Sequence, residues 1–127
     1  MRTFMILGSV LLAAAAPATT DKVPAAIDAG PAVSCIQTSR VRSTEVRSDQ
    51  VIDFVMSDGK VYRNTLPYAC PQLGFEQRFV HKSTINQYCS VDTITVLQSP
   101  GLTRGPTCGL GEFQPVKLVK QSAPKAK

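Results

Sequence analysis

Four cysteines constrain the fold of this 127-residue chain more than any other sequence feature. Cys35, Cys70, Cys89 and Cys108 are separated by far more than the about two to four residues that usually join paired zinc ligands. The Cys-x-x-Cys motif of a redox pair is absent from the sequence. The single histidine, His81, excludes any site that needs two imidazole groups. An even number of such cysteines in an exported chain predicts two structural disulfides, with no metal and no cofactor.

The first 18 residues have the pattern of a cleaved export signal. Arg2 precedes an apolar run from Phe4 to Ala16, and Ala16-Pro17-Ala18 carries the small residues that a signal peptidase accepts. The run is shorter than the roughly 20 residues that a membrane-spanning helix needs. The sequence therefore predicts a signal peptide over residues 1–18, a periplasmic or secreted mature protein, and no transmembrane segment after signal removal.

The distribution of charge and of proline divides the rest of the chain. The formal net charge of +5 comes from Arg2 and from four lysines at or after Lys117, so that residues 19–116 are neutral. A nucleic-acid-binding domain needs a basic stripe on its folded surface, and the sequence therefore predicts no nucleic-acid partner. Small and proline-rich segments predict a disordered spacer at residues 19–33 and a disordered basic tail at residues 120–127. A single folded domain is expected over residues 34–119.

Short β-branched and aromatic runs predict strands. Residues 51–56 and 61–66 flank Asp58-Gly59, and a type I′ turn at this dipeptide would join them in a hairpin. Further strands are expected at residues 36–42, 78–82, 93–97 and 111–119. Pro115 lacks a backbone N–H, which places the last of these strands at an edge or at a bulge. The pattern predicts an all-β fold, a small barrel or sandwich of about five to six strands stapled by two disulfides.

Four cysteines allow three disulfide pairings. The order of the predicted strands favours Cys70–Cys89, which would pin the loop between adjacent strands, and Cys35–Cys108, which would tie the first strand to the last as in a closed barrel. Each crosslink would contribute about 3–4 kcal/mol to a domain whose total stability is about 5–10 kcal/mol. Reduction alone is therefore expected to unfold the domain.

The motifs between Cys35 and Val116 resemble those of one bacterial family. They include the strand at residues 61–66, the stretch Cys70-Pro71-Gln72-Leu73 and the stretch Tyr88-Cys89-Ser90-Val91-Asp92. The chain thus resembles an uncharacterised family, a domain of unknown function, of small exported four-cysteine proteins of Gram-negative bacteria, mostly alphaproteobacteria. That family has no assigned activity, so the resemblance implies only a periplasmic location and paired cysteines.

The predicted loop at residues 66–77 is the candidate partner surface. It carries Tyr68, Leu73 and Phe75, and exposed aromatic side chains often mark the surfaces at which proteins bind partners. The alternative is that Leu73 and Phe75 cap the core of the domain.

Other polar residues receive mostly structural interpretations. Arg40 and Arg42 would share one strand face, where they meet either an anionic partner or solvent. His81 is expected to be partly exposed on its strand, Asp53 to point outward from a one-sided sheet, and Asp92 to organise a turn through its carboxylate. No hydrolase, phosphate-loop or metalloprotease motif is present in the sequence.

The sequence therefore predicts a non-enzymatic periplasmic protein that binds a protein or an envelope component. Two alternatives remain open. One is an inhibitor of a secreted hydrolase that acts through a loop at residues 99–106, and the other is a small enzyme or redox protein that uses a free cysteine. A cavity containing both His81 and Asp53 would favour an enzyme, because a domain this small rarely encloses a substrate pocket.

Overall fold

A computed structural model describes residues 23–83 and 85–119 of the chain. The predicted signal peptide and basic tail lie outside these residues, as does the first part of the predicted spacer. The strands are β1 (Ala26–Asp28), β2 (Cys35–Gln37), β3 (Val41–Val46), β4 (Val51–Met56), β5 (Val61–Thr65), β6 (Phe79–His81), β7 (Gln87–Cys89), β8 (Thr93–Gln98), β9 (Thr103–Gly109) and β10 (Phe113–Leu118). The helical elements are a single 3-10 turn (Thr38–Arg40) and the short helix α1 (Leu73–Glu76).

The strands form three antiparallel sheets. The largest has the order β1-β10-β5-β4-β3, a second has the order β6-β8-β9, and β2 pairs with β7 alone. Ile52 and Phe54 of the largest sheet and Ile94 and Val96 of the second are fully buried in one common core. The fold is therefore all-β and sandwich-like with two disulfides, as the sequence predicts, and the sheets do not close into a barrel.

Alternation along β4 fixes which face of the largest sheet is buried. Ile52, Phe54 and Met56 share one face, and the ring of Phe54 lies 5.3 Å from that of Phe113 and 5.1 Å from that of Tyr88. These ring contacts join β4 to β10 within the largest sheet and to β7 of the two-stranded pair, and burying a side chain of this size contributes about 2–3 kcal/mol.

The β4–β5 hairpin forms where the sequence predicts it, but with a different turn. Met56 N–H donates to the carbonyl of Lys60 at 2.8 Å, and Gly59 N–H donates to the carbonyl of Met56 at 3.0 Å. Gly59, with a φ of 89°, is the one residue of this loop with a positive φ. The loop is thus a three-residue type I turn with a bulge at Gly59, and the predicted type I′ turn is wrong.

The predicted disordered spacer is wrong for the part of it that the structure describes. β1 pairs with β10, Ala29 N–H donates to the carbonyl of Pro115 at 2.8 Å, and Val33 bridges Phe113. Backbone pairing of this kind needs few apolar side chains, which is why composition alone did not reveal it. β10 therefore lies between β1 and β5 and is not an edge strand. Pro115 is tolerated because the N-terminal segment does not pair with β10 between Ala29 and Val33.

The disulfides join Cys35 to Cys89 and Cys70 to Cys108, so the predicted pairing of Cys70 with Cys89 and of Cys35 with Cys108 is wrong. Cys35 and Cys89 are directly opposite each other in the β2–β7 ladder. The segment that precedes α1 lies against β9, which brings Cys70 to Cys108. Each disulfide therefore joins two cysteines that are not consecutive in the sequence.

Candidate functional site

The segment between β5 and β6 is held firmly against the domain. Cys70 is fully buried and carries the disulfide to Cys108. The N–H of Cys70 donates to the carbonyl of Asp49 at 2.7 Å, and the carboxylate of Asp49 accepts the N–H of Gly74, also at 2.7 Å. Leu73 lies fully buried between these anchors. The backbone around α1 is consequently fixed before any partner arrives.

This fixed segment exposes two aromatic side chains. Tyr68 is 82% exposed and Phe75 is 85% exposed. Leu73 belongs to the core instead, so its predicted place in a partner surface is wrong. Residues two apart in a helix point in nearly opposite directions, which is why Leu73 is buried while Phe75 faces solvent.

The β8–β9 turn is braced against α1. The carboxylate of Glu76 accepts hydrogen bonds from the N–H of Ser99 at 3.1 Å and from its hydroxyl at 2.9 Å. Leu102 is exposed at this turn and has a φ of 53°. Because β9 begins at Thr103, the predicted inhibitory loop over residues 99–106 is shortened to residues 99–102. We call Tyr68, Phe75 and Leu102 the α1 surface.

A hollow opens beside the α1 surface. Its volume is about 400 Å³. Its lining residues come from β3, from the strands and connections of the smaller sheets and from the β8–β9 turn: Thr44, Gln77, Arg78, Phe79, Tyr88, Leu97 and Leu102. Tyrosine is already uncharged at neutral pH with its usual pKa of about 10, and burial raises the pKa of the Tyr88 hydroxyl further. The hollow can accept one apolar side chain of a partner.

Two further cavities adjoin at the end of the β4–β5 hairpin. Their volumes are about 410 and about 880 Å³, and Lys60 and Tyr62 line both. Arg40 lines the smaller cavity. Arg40 ends the 3-10 turn, whereas Arg42 lies in β3 at a break in register, so the two arginines do not share a strand face and that prediction is wrong.

His81 forms a side-chain hydrogen bond with Asp92 that the sequence does not reveal. As a whole residue His81 is partly exposed, as predicted, but its side chain is only 6% exposed. His81 Nε2 lies 2.9 Å from Asp92 Oδ2, and the same oxygen accepts the N–H of Cys89 at 2.9 Å. The ring of His81 lies 4.3 Å from that of Tyr88. Asp92 thus organises its turn as predicted, by reaching back to Cys89, and also binds His81.

The pair between His81 and Asp92 predicts an acid-dependent loss of stability. The hydrogen bond from His81 lowers the pKa of Asp92 below its ordinary value, and the N–H of Cys89 adds to this against the opposing effect of burial. The stabilisation is therefore present above the ordinary carboxylate pKa of about 3.9 and is lost as pH falls through the lower folded-state pKa. We expect Asp92→Asn to lower the melting temperature at pH 7, with the difference shrinking below about pH 4.

Thermal unfolding followed by circular dichroism between pH 2.5 and 7 measures this effect. Asp28→Asn, on the exposed strand β1, serves as the control and is expected to follow the wild-type curve. A difference between Asp92→Asn and wild type that stays constant over the whole pH range would contradict the assignment.

Asp53 points to the outer face of the largest sheet, as predicted, but its side chain is fully buried there because other residues cover that face. Arg47 Nε donates to Oδ2 at 3.0 Å, while Arg63 donates to Oδ1 from Nε at 2.8 Å and to Oδ2 from Nη2 at 3.0 Å. Arg63 Nη2 also donates to the carbonyl of Pro24 at 2.9 Å. The two arginines and the N-terminal segment cover the carboxylate on the outer face of the sheet.

The polar clusters do not combine into one centre. Asp53 is held by arginines and His81 by Asp92, and neither Asp53 nor His81 lines any of the cavities described above. Within residues 23–83 and 85–119, no group of three or more His, Cys, Asp or Glu residues is arranged to hold a metal ion. Both disulfides are formed, and the described residues contain no free cysteine.

Comparison with known proteins gives no relative of this chain. No family model, no curated protein and no solved structure matches it. In the part of the chain that the structure describes, no helix has the length and apolar character needed to cross a membrane.

Proposed function

We propose that this chain is a non-enzymatic, exported binding protein that contacts a protein of the bacterial envelope through the α1 surface. The observation that carries the proposal is the exposure of Tyr68 and Phe75 on a backbone segment anchored by a disulfide and by Asp49. A segment that merely connected β5 to β6 would gain nothing from aromatic side chains in water. Aromatic anchors on a rigid frame instead lose little conformational entropy when they bind.

Export to the periplasm is part of the same proposal. Its support is the signal-like pattern over residues 1–18, the two disulfides and the resemblance to the family of small exported four-cysteine proteins. Disulfides persist in oxidising compartments, where a small domain benefits from crosslinks because its core is limited.

Site-specific crosslinking tests the binding surface directly. A photoreactive phenylalanine analogue is placed at position 75 of the full chain in its native host, and a second strain carries it at Val91, which is also exposed. We expect illumination to join one identifiable envelope protein to position 75 and not to position 91. Tyr68→Ser is expected to reduce the adduct because it removes the other exposed aromatic side chain of the same segment.

Two outcomes of the crosslinking would contradict the proposal. Equal adducts at positions 75 and 91 would indicate random collisions, and the absence of any adduct at position 75 would leave the α1 surface without a partner. Melting temperatures of all variants, compared with that of the unmodified protein, separate lost binding from lost folding.

A second candidate function is supported by the β8–β9 turn. Leu102 is exposed at a tight turn that Glu76 braces through Ser99, and inhibitors present a side chain on a preorganised loop in this way. Inhibition of purified secreted hydrolases by wild-type protein, and its loss in Leu102→Asp, would favour this function over envelope binding.

A further inference from the structure

β3 leaves one side of the largest sheet open. Arg47 N–H donates to the carbonyl of Val51, so the pair of Val46 with Ile52 is of the type that is not hydrogen-bonded, and so is the pair of Thr44 with Phe54. The N–H and C=O groups of Thr44 and Val46 therefore point away from β4. The described residues provide no partner for them.

β6 leaves the second sheet open in the same way. Leu97 N–H donates to the carbonyl of Arg78, which makes the pair of Phe79 with Val96 non-hydrogen-bonded. The main-chain groups of Phe79 and His81 consequently point away from β8. Within residues 23–83 and 85–119, two unpaired strand edges, one from each layer of the sandwich, thus lie on the side of the hollow.

The hollow of about 400 Å³ lies between these edges. Thr44 of β3 lines one side, Phe79 of β6 lines another, and Tyr88 and Leu97 complete an apolar wall. We call the two edges and the hollow between them the β3–β6 seam. β3 is the more suitable edge for an added strand, because it has six residues and no proline, whereas the open edge strand β9 contains Pro106.

Exposed cations predominate along β3 and β6, while the nearby carboxylates of Glu76 and Asp92 are already hydrogen-bonded within the domain. Arg42, Arg78 and Lys82 are all exposed on or next to β3 and β6. The acid of β3, Glu45, stands opposite Asp53 and so belongs to the other face of the sheet. An extended peptide with acidic residues beside an apolar one would match this arrangement.

We propose that the β3–β6 seam binds an extended, acidic peptide segment of the partner protein, which adds to β3 as a further strand and places one apolar side chain in the hollow. The inference rests on the proposed binding function and specifies the chemistry of the partner. The backbone groups of Thr44 and Val46 provide affinity, the hollow selects the apolar side chain, and the cations select the acidic neighbours.

Titration with a designed peptide tests the seam. The probe is a fluorescein-labelled Glu-Glu-Val-Phe-Val-Glu-Glu peptide, and its counterpart carries lysine in place of every glutamate. We expect saturable binding of the acidic peptide by the full mature chain, measured by fluorescence anisotropy, and binding of the lysine peptide at least about tenfold weaker. Thr44→Pro removes an outward N–H and is expected to weaken binding about tenfold, while the matched control Thr44→Ala keeps the N–H and retains binding.

Amide chemical shifts distinguish the seam from the α1 surface. In the expected result, the acidic peptide shifts the amides of Thr44, Val46 and Phe79, and Arg78→Glu weakens binding without changing the melting temperature. Shifts centred on Tyr68 and Phe75 would contradict peptide binding at the β3–β6 seam and would leave the proposed function in place. Peptide binding at the seam without a crosslink at position 75 would contradict only the proposal that the α1 surface contacts the partner.

Two other results would overturn the inference. One is equal affinity of Thr44→Pro and Thr44→Ala for the peptide, since a strand added to β3 requires the N–H that proline lacks. The other is a dimer in sedimentation experiments that the peptide dissociates, because a second copy of the chain would then be the occupant of the edge.

Discussion

Reduction of both disulfides is expected to unfold the domain at room temperature. The bonds close loops with sequence separations of 54 and 38 residues, and each contributes about 4 kcal/mol by restricting the unfolded chain. The sum of about 8 kcal/mol is comparable to the whole stability of a small domain, which is about 5–10 kcal/mol. The β2–β7 pair has only three residues in each strand, so it has little ladder of its own to replace the bond between Cys35 and Cys89.

Urea denaturation with and without a phosphine reductant measures this loss. The variants Cys35→Ala/Cys89→Ala and Cys70→Ala/Cys108→Ala remove one bond each and are expected to remain folded with reduced stability. The second variant also frees the segment around α1, so it should broaden the amide signals of Tyr68 and Phe75 as well. An unfolding curve that is the same in reductant and in oxidising buffer would contradict the prediction, provided that mass spectrometry shows four free thiols after reduction.

The local elements could be predicted from the sequence, because each depends on a few neighbouring residues. β-branched and aromatic runs over residues 51–56 and 61–66 indicated two strands, and Asp58-Gly59 between them indicated a hairpin. The strands near Phe79, Ile94 and Phe113 also follow from short β-branched and aromatic runs. The turn type differed, because a three-residue loop and a two-residue loop can both use Asp58-Gly59.

The relations between distant elements could not be predicted in this way. The disulfide pairing depends on β2 lying against β7 and on the segment around Cys70 lying against β9. The spacing of cysteines in the sequence does not reveal which strands are adjacent in the fold. The pairing of β1 with β10 depends on an open sheet edge that is visible only once the sheet is assembled. The β3–β6 seam was missed for the same reason.

The candidate surface was predicted in part. The aromatic content of residues 66–77 pointed to Tyr68 and Phe75, and the structure exposes both. Whether Leu73 faces the core or solvent depends on how α1 is rotated about its axis. A four-residue helix is too short to show this rotation as a periodic pattern in the sequence. His81 and Asp92 are 11 residues apart and meet because β6 pairs with β8. Predicting their contact would have required the register of that strand pairing.

Asp53→Asn is expected to be the most destabilising single substitution at a polar residue, by about 3–5 kcal/mol. The carboxylate is fully buried, and three hydrogen bonds from Arg47 and Arg63 compensate its desolvation. An amide keeps the shape but removes the negative charge and turns an NH2 group toward a guanidinium. Two largely covered cations then lose their counterion, which is the costly way to break a buried pair.

A double-mutant cycle in urea separates this electrostatic effect from a change in packing. Arg63→Leu removes one of the two cations, so we expect Asp53→Asn to cost less in that background than in the wild type. The matched control is Glu45→Gln, which neutralises the exposed acid directly opposite Asp53 in β3 and should change stability by less than about 0.5 kcal/mol. If Asp53→Asn and Glu45→Gln shifted the unfolding free energy equally, the buried position of the carboxylate would be contradicted. If both substitutions at Asp53 and Arg63 were simply additive, the hydrogen bonds between them would contribute nothing to the fold.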